Sequence, residues 1–160
     1  MILGDSGRGK STFGKKLSEK ISIPCYSTDD FFWKTRFSER HNREQSIEAI
    51  SRLYDQDNWI MEGGTRHLIL KGLDRADIIY LLEFKNILYQ YYFLIRRNLN
   101  RKNENFTDLF NLLKHITYKK YKKNYGNHLP RLKELLEPYK HKVVRLSSFK
   151  EINRCLESIS

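Results

Sequence analysis

Proline is scarce in this chain of 160 residues, with three in all, and no stretch is rich in proline and glycine together. A flexible linker between domains is therefore not expected, and residues 1–160 read as one domain. No run approaches the roughly 18 to 20 apolar residues of a membrane span, so a membrane partner is not expected. No signal peptide is visible, because the N-terminus runs straight into a glycine loop, and a cytoplasmic location is expected. Cysteine is limited to Cys25 and Cys155, far apart and without the paired spacing of a zinc site. They read as structural thiols in a reducing compartment. Repeats and low-complexity tracts are absent too. What remains is a chain with 39% hydrophobic and 13% aromatic residues, enough for a core, and 31% charged residues, as in a globular rather than a disordered protein.

The net charge of +11 is unevenly spread. Between Arg96 and Lys142 there are 13 Lys and Arg against 4 Asp and Glu, while the rest of the chain carries 17 against 15. The basicity belongs to one region, whose partner should be anionic: phosphate, nucleotide or nucleic acid. A solvated helical surface accounts for most of its lysines.

Short apolar runs alternate with amphipathic stretches, the pattern of a parallel sheet with helices on both faces. Met1-Ile2-Leu3 reads as the end of a first strand, short against the usual five or so residues: the true start lies upstream, or the strand is a stub. Ser11 to Ile21 is a helix with Phe13, Leu17 and Ile21 on one face. Ile23 to Tyr26 is a second strand. Glu44 to Tyr54 is helical, with Ile47, Ile50, Leu53 and Tyr54 as its stripe. Trp59-Ile60-Met61 is a third strand, ending at Glu62-Gly63-Gly64. Ile78 to Leu82 is an unbroken apolar run, as expected of a strand buried on both faces. Ile87 to Leu99, Phe106 to Tyr125 and Leu129 to Tyr139 read as helices, Val143 to Leu146 as the last strand, and Ile152 to Ile159 as a closing helix.

Gly4-Asp5-Ser6-Gly7-Arg8-Gly9-Lys10-Ser11 satisfies G-x-x-x-x-G-K-[ST] between an apolar stub and an amphipathic helix. Each residue type has a chemical reason. Glycines let the backbone turn tightly and offer bare N–H groups to phosphate oxygens. The helix that follows points its positive end at the same place. Lys10 is the cation for the β- and γ-phosphates, and the Ser11 hydroxyl is a ligand for Mg²⁺. The phosphate cradle is therefore Gly4 to Thr12.

In parallel sheets of this kind, ligands bind at the carboxyl ends of the strands. Asp29-Asp30 follow the second strand and Glu62 ends the third, so Asp29 and Glu62 are candidates to hold Mg²⁺ through water or to accept a proton from an attacking hydroxyl. Asp29 also fits a helix cap or turn. Gly63-Gly64 suggests close approach of backbone to a ligand. Arg96, Arg97 and Arg101 lie where a lid would carry cations to the transferring phosphoryl group, or simply close a basic helix terminus. Tyr118, Tyr121 and Tyr125 interleave with Lys119, Lys120, Lys122 and Lys123. Such a mixture can stack bases and track phosphates, but the spacing favours a packed tyrosine stripe with lysines outside.

The combination of Gly4 to Thr12, then Cys25 to Trp33, then Trp59-Ile60-Met61-Glu62-Gly63, then Ala76-Asp77 resembles the topology-modulation (FlaR-type) proteins of the adenylate-kinase-like P-loop superfamily. Those carry an Asp two residues before a Phe-Trp pair, and a Trp-Ile-x-Asp-Gly segment. The resemblance implies a three-layer α/β fold with a five-stranded parallel sheet in the order 2-3-1-4-5. It also implies a small helical lid near residues 96–108, with ATP as the nucleotide, alongside the Mg²⁺ expected at Ser11. By matching position it implies Asp29 and Glu62 near the substrate, Arg66 after the third strand, and Arg97 and Arg101 in the lid; the acceptor is expected between Asp29, Phe32, Trp33, Glu62, Gly63 and Arg66. Two departures bear on the acceptor pocket: Glu62 stands where the family usually has Asp, and Gly64-Thr65 replaces Asn-Tyr. Shikimate and gluconate kinases share the general plan. The reading expected from all of this is an ATP-dependent kinase acting on a small-molecule or nucleotide acceptor, with Lys10, Asp29, Arg97 and Arg101 as its catalytic groups. The alternatives are a nucleic-acid-associated ATPase or regulator of DNA topology, and a nucleotide-binding protein without catalysis.

Overall fold

A computed structural model describes residues 1–35, 39–100, 106–121 and 130–159, apart from the side chains of residues 108, 119 and 120. The chain runs β1 (Ile2–Gly4), α1 (Lys10–Ile21), β2 (Cys25–Ser27), α2 (Thr28–Phe32), β3 (Trp33–Thr35), β4 (Glu39–Arg40), α3 (Arg43–Tyr54) and β5 (Ile60–Glu62). It continues through α4 (Arg66–Arg75), β6 (Ile79–Leu82), α5 (Ile87–Leu99), α6 (Phe106–Tyr121), α7 (Leu132–Leu136), a 3₁₀ segment at Glu137–Lys142, β7 (Val143–Leu146) and α8 (Phe149–Ser158).

Five strands form one parallel sheet in the order β2-β5-β1-β6-β7. Counted among themselves along the chain, they stand 2-3-1-4-5, the expected order. The two-residue period of a strand splits its side chains between two layers. Leu3, Met61 and Leu81 join Ile50, Leu53, Tyr54, Leu68 and Leu73 on one face, under α3 and α4. Ile2, Ile60, Tyr80 and Leu82 join Phe13, Leu17 and Ile152 on the other, under α1 and α8. Truncating a fully buried ring such as Phe13 would cost about 3–5 kcal/mol.

Several expected elements change. On α3 the buried positions are Ser46, Ile50, Leu53 and Tyr54, and Ile47 is exposed. Ser46 takes the inward place because its hydroxyl donates to the Phe31 carbonyl at 2.6 Å. Ile78 is exposed too, and the buried run starts at Ile79. Helix α4 was not anticipated. It packs on Tyr54 through Gly72, where a Cβ would stand 2.6 Å from the ring. The helical reading of 129–139 becomes a short α7 and a 3₁₀ segment with Pro138 in its first turn, since proline lacks the N–H an α-helix needs. Helix α8 begins three residues before the expected Ile152, because the Ser148 hydroxyl caps it by accepting from the Glu151 N–H at 3.1 Å.

Candidate nucleotide-binding site

The first strand ends at Gly4, whose φ of 126° and close approach to β6 leave no room for a side chain: a Cβ would stand 2.0 Å from the Leu82 carbonyl oxygen. The chain then turns into α1 along a path held from outside. The Asp5 N–H donates to the Leu82 carbonyl at 2.9 Å. The Asp5 carboxylate accepts from the Phe84 N–H at 2.8 Å. The Ser6 carbonyl accepts from Gln90 Nε2 at 3.1 Å. Gly7 packs against Leu94, which a Cβ would meet at 2.8 Å. Arg8 is buried, its guanidinium 4.6 Å from the ring centroids of both Phe84 and Phe149. Burial lowers the pKa of Arg8, while the charges of Glu151 and Asp5 oppose that shift.

Gly9 is the N-cap of α1 in the left-handed conformation, φ 86° and ψ 24°, and no side chain caps the helix. A Cβ at Gly9 would meet nothing within 4 Å. The first turn thus offers uncapped N–H groups and the positive end of the dipole toward open space, a fit to polyphosphate. Lys10 Nζ donates to the Asp5 carbonyl at 3.0 Å. Ser11 Oγ donates to Glu62 Oε1 at 3.0 Å, joining the loop to the end of β5. Glu62 is buried. Hydroxyl and carboxylate oxygens are the donors a hard divalent cation takes, so this pair fits Mg²⁺. Thr12 is exposed on the first turn of α1. Burial, then the Glu62 carboxylate, pushes the Cys25 thiol up to about 11, leaving it protonated at neutral pH.

The opposite flank begins at β2. The Ser27 hydroxyl caps α2 by accepting from the Asp29 N–H at 3.3 Å. Asp29 therefore lies in the first turn of a helix, with its residue exposed. Phe32 and Trp33 meet edge to face at 4.7 Å. The Arg40 guanidinium covers both rings, at 5.1 and 5.4 Å, and His67 lies 5.7 Å from Phe32. Burial, then the charge of Arg43, holds the His67 imidazole below its usual pKa. Arg40, Arg43 and His67 escaped the sequence reading. The antiparallel register Trp33 to Arg40 returns Arg40 to the aromatic pair, and no local pattern announces that pairing.

Gly63 approaches Thr28 closely: a Cβ would stand 1.9 Å from the Thr28 hydroxyl oxygen. Thr28 Oγ1 in turn accepts from the Gly64 N–H at 3.2 Å. Arg66 donates to the Pro130 carbonyl at 3.0 Å. Arg97 is half-buried near the end of α5. Arg101 and residues 102–105 of the expected lid lie outside the described residues, as do Lys122, Lys123 and Tyr125. The packed tyrosine stripe is not found on α6. Tyr121 is 67% exposed and Tyr118 is 38% exposed. The buried position there is Ile116, and the Thr117 hydroxyl meets Tyr91 of α5, which turns the tyrosines outward. Among the described residues, no helix is long and apolar enough to cross a membrane.

No protein-family model matches the chain. Over 63 residues it is 30% identical to the uncharacterized protein YqaC of Bacillus subtilis (strain 168), a match spanning 39% of this chain and 35% of that protein. The chain thus matches about a third of that relative's length. Among solved structures it is similar to the YorR protein from Bacillus subtilis in complex with phosphorylated GDP, with TM-score 0.57, 15% identity, and coverage of 99% of this chain and 91% of that one. It is similar to shikimate kinase from Acinetobacter baumannii in complex with shikimate, with TM-score 0.57, 14% identity and coverage of 98% and 87%. Shikimate kinase from Bacteroides thetaiotaomicron matches with TM-score 0.54, 15% identity and coverage of 98% and 93%. These likenesses show the fold, an α/β P-loop fold of the shikimate-kinase and adenylate-kinase-like type.

Proposed function

We propose that this chain is an ATP- and Mg²⁺-dependent phosphotransferase of the topology-modulation type, acting on a small-molecule or nucleotide acceptor. The observation that carries the reading is the Ser11 hydroxyl donating to the buried Glu62 carboxylate at the head of a G-x-x-x-x-G-K-S loop. It joins a phosphate cradle to a carboxylate at the one edge where a parallel sheet presents ligands.

In this reading Gly4 to Thr12 hold the polyphosphate through backbone N–H groups, and Lys10 balances its charge. Ser11, with Glu62 behind it, holds Mg²⁺, whose charge, when bound, offsets that of the β- and γ-phosphates. The acceptor lies between Asp29, Phe32, Trp33, Glu62, Gly63 and Arg66, where Asp29 orients or deprotonates its hydroxyl. Residues 96–108 form the lid, and Arg97 and Arg101 stabilise the transferred phosphoryl group. The whole of 1–160 works as one domain in the cytoplasm. The phosphorylated GDP and shikimate named for its structural neighbours support ligands of these classes.

Isothermal titration with Mg-ATP tests the cradle, and a thermal-shift screen of nucleotides, sugars and shikimate-like acids with Mg-ATP seeks the acceptor. Absence of Mg-ATP binding would sink the proposal. The exposure of Tyr121 in a lysine-rich stretch supports a second reading, nucleic-acid binding by α6. A DNA and RNA binding series over salt decides it: a flat response removes that reading.

A further inference from the structure

Arg8 sits in the loop that cradles phosphate, yet its side chain is buried at 3% exposure rather than turned to the ligand space. Its guanidinium lies against two rings, 4.6 Å from each centroid. Phe84 lies just beyond β6, and Phe149 opens α8. The stack therefore joins the three loops that follow β1, β6 and β7 at the carboxyl edge of the sheet. Phe93 of α5 backs it, 5.7 Å from Phe84 and 5.1 Å from Phe149.

The chemistry of this arrangement is costly. Arg8 Nε is buried and has no hydrogen-bond partner among the described residues, and a guanidinium so placed forfeits hydration that an apolar side chain would not need. The stack also lies apart from both clusters that hold the sheet, since Arg8, Phe84, Phe93 and Phe149 belong to neither. Its contribution is therefore local to the loop. Gly7 and Gly9 flank Arg8 with φ of 83° and 86°. Neither has a side chain with which to anchor the loop, so the grip on Arg8 sets the peptide planes on either side of it. Those planes lead into the uncapped first turn of α1.

We infer that Arg8 is a positioning residue of the phosphate cradle: held with its guanidinium against the Phe84 and Phe149 rings, it fixes the loop in the shape that receives a nucleoside polyphosphate. The inference rests on the proposal that this loop binds Mg-ATP, and it assigns Arg8 no contact with phosphate. A planar, weakly hydrated guanidinium suits contact with two aromatic rings, and a compact ammonium on a flexible stem does not replace it.

The test is Mg-ATP affinity by isothermal titration, with thermal melting of every variant alongside. Wild type and Lys10→Ala come first. If wild type does not bind, the cradle reading itself fails, and Arg8 is not at issue. With wild-type binding in hand, Arg8→Met should weaken affinity about tenfold or more, while the melting midpoint holds or rises because an apolar chain replaces a buried charge. Arg8→Lys, which keeps charge without the plane, should lose a similar factor. Phe149→Leu should also weaken binding, and the Arg8→Met/Phe149→Leu double variant should be no worse than the poorer single variant, since the two act as one unit. Wild-type affinity in Arg8→Met or Arg8→Lys overturns the inference, as do additive losses in the double variant. So does a loss of affinity that follows a loss of melting temperature in every variant. If Arg8→Met does not fold, Arg8→Lys and Phe149→Leu carry the same decision.

Discussion

On the β6–β7 side of the phosphate loop, Asp5, Ser6, Gly7 and Arg8 each have a partner on another element: Phe84, Gln90, Leu94, and the Phe84–Phe149 pair. On the β2–β5 side, Asp29 is exposed in the first turn of a five-residue helix, and Phe32 and Trp33 are half-buried under Arg40 from a two-strand hairpin. The first flank has its geometry set before a ligand arrives, which lowers the ordering cost of binding. The second flank is shaped by long-range pairing and presents side chains rather than backbone. In the proposed reading the tied flank holds the nucleotide and the open flank meets the acceptor. Substitutions on the two sides should therefore fail in different ways.

The largest effect is expected in the loop itself. Lys10→Ala should abolish measurable Mg-ATP binding in isothermal titration while leaving the melting temperature unchanged, because the ammonium donates to the Asp5 carbonyl of its own loop and lies outside both core clusters. Unchanged affinity would break the comparison at its firmer end. Next comes the open flank. Asp29→Asn should lower turnover by roughly 10²–10⁴ with the true acceptor and leave ATP affinity intact. Full activity in that variant would leave Asp29 as a first-turn helix residue, with its backbone N–H held by Ser27 and no more.

The same division governs what the sequence makes legible. The strands and the G-x-x-x-x-G-K-S motif are readable because each rests on local signals: apolar runs for β1, β5 and β6, and eight contiguous residues for the loop; the strand order is implied only by the family resemblance. The β2–β5 flank is not readable in the same way. Arg40 reaches Phe32 and Trp33 only through the β3–β4 register. Gly63 is required by Thr28, 35 positions earlier in the chain. Helix α4 hides behind Gly72, a weak helix former that is needed because the Tyr54 ring occupies the place of its side chain. Arg8 reads as one position of the phosphate cradle, and nothing local shows that it packs against Phe84 and Phe149.

Gly63 and Gly64 sharpen the contrast at intermediate cost. Gly63→Ala should destabilise the fold by about 2–3 kcal/mol, since the added methyl meets the buried Thr28 at a φ of 137° that side chains disfavour. Gly64→Ala, with nothing near its Cβ, should fall within about 0.5 kcal/mol of wild type. Urea unfolding of the pair separates them. Equal stabilities would mean that β5 and α2 approach less closely than described.

The smallest effect is a titration on the open flank. His67 lies against Phe32, and burial, then the charge of Arg43, depresses its pKa below 6.5. A base whose pKa is lower in the folded state binds fewer protons there than when unfolded. Its neutral form is therefore the one the fold accommodates. The penalty is absent above pH 6.5 and grows as pH falls from that value through the lower folded value. His67→Gln should accordingly melt less steeply with pH than wild type between pH 7 and 5.5, a window above most carboxylate titrations. The difference should be small, because His67 is only half-buried. Parallel profiles would show that His67 is as well hydrated in the fold as in the open chain. The same imidazole also reports on the ligand. An anionic acceptor seated near Arg43 would offset the arginine's charge and raise the His67 pKa toward or above 6.5. An NMR titration of His67 with and without the acceptor found by screening measures this directly, and an unmoved pKa would remove negative charge from the vicinity of Arg43.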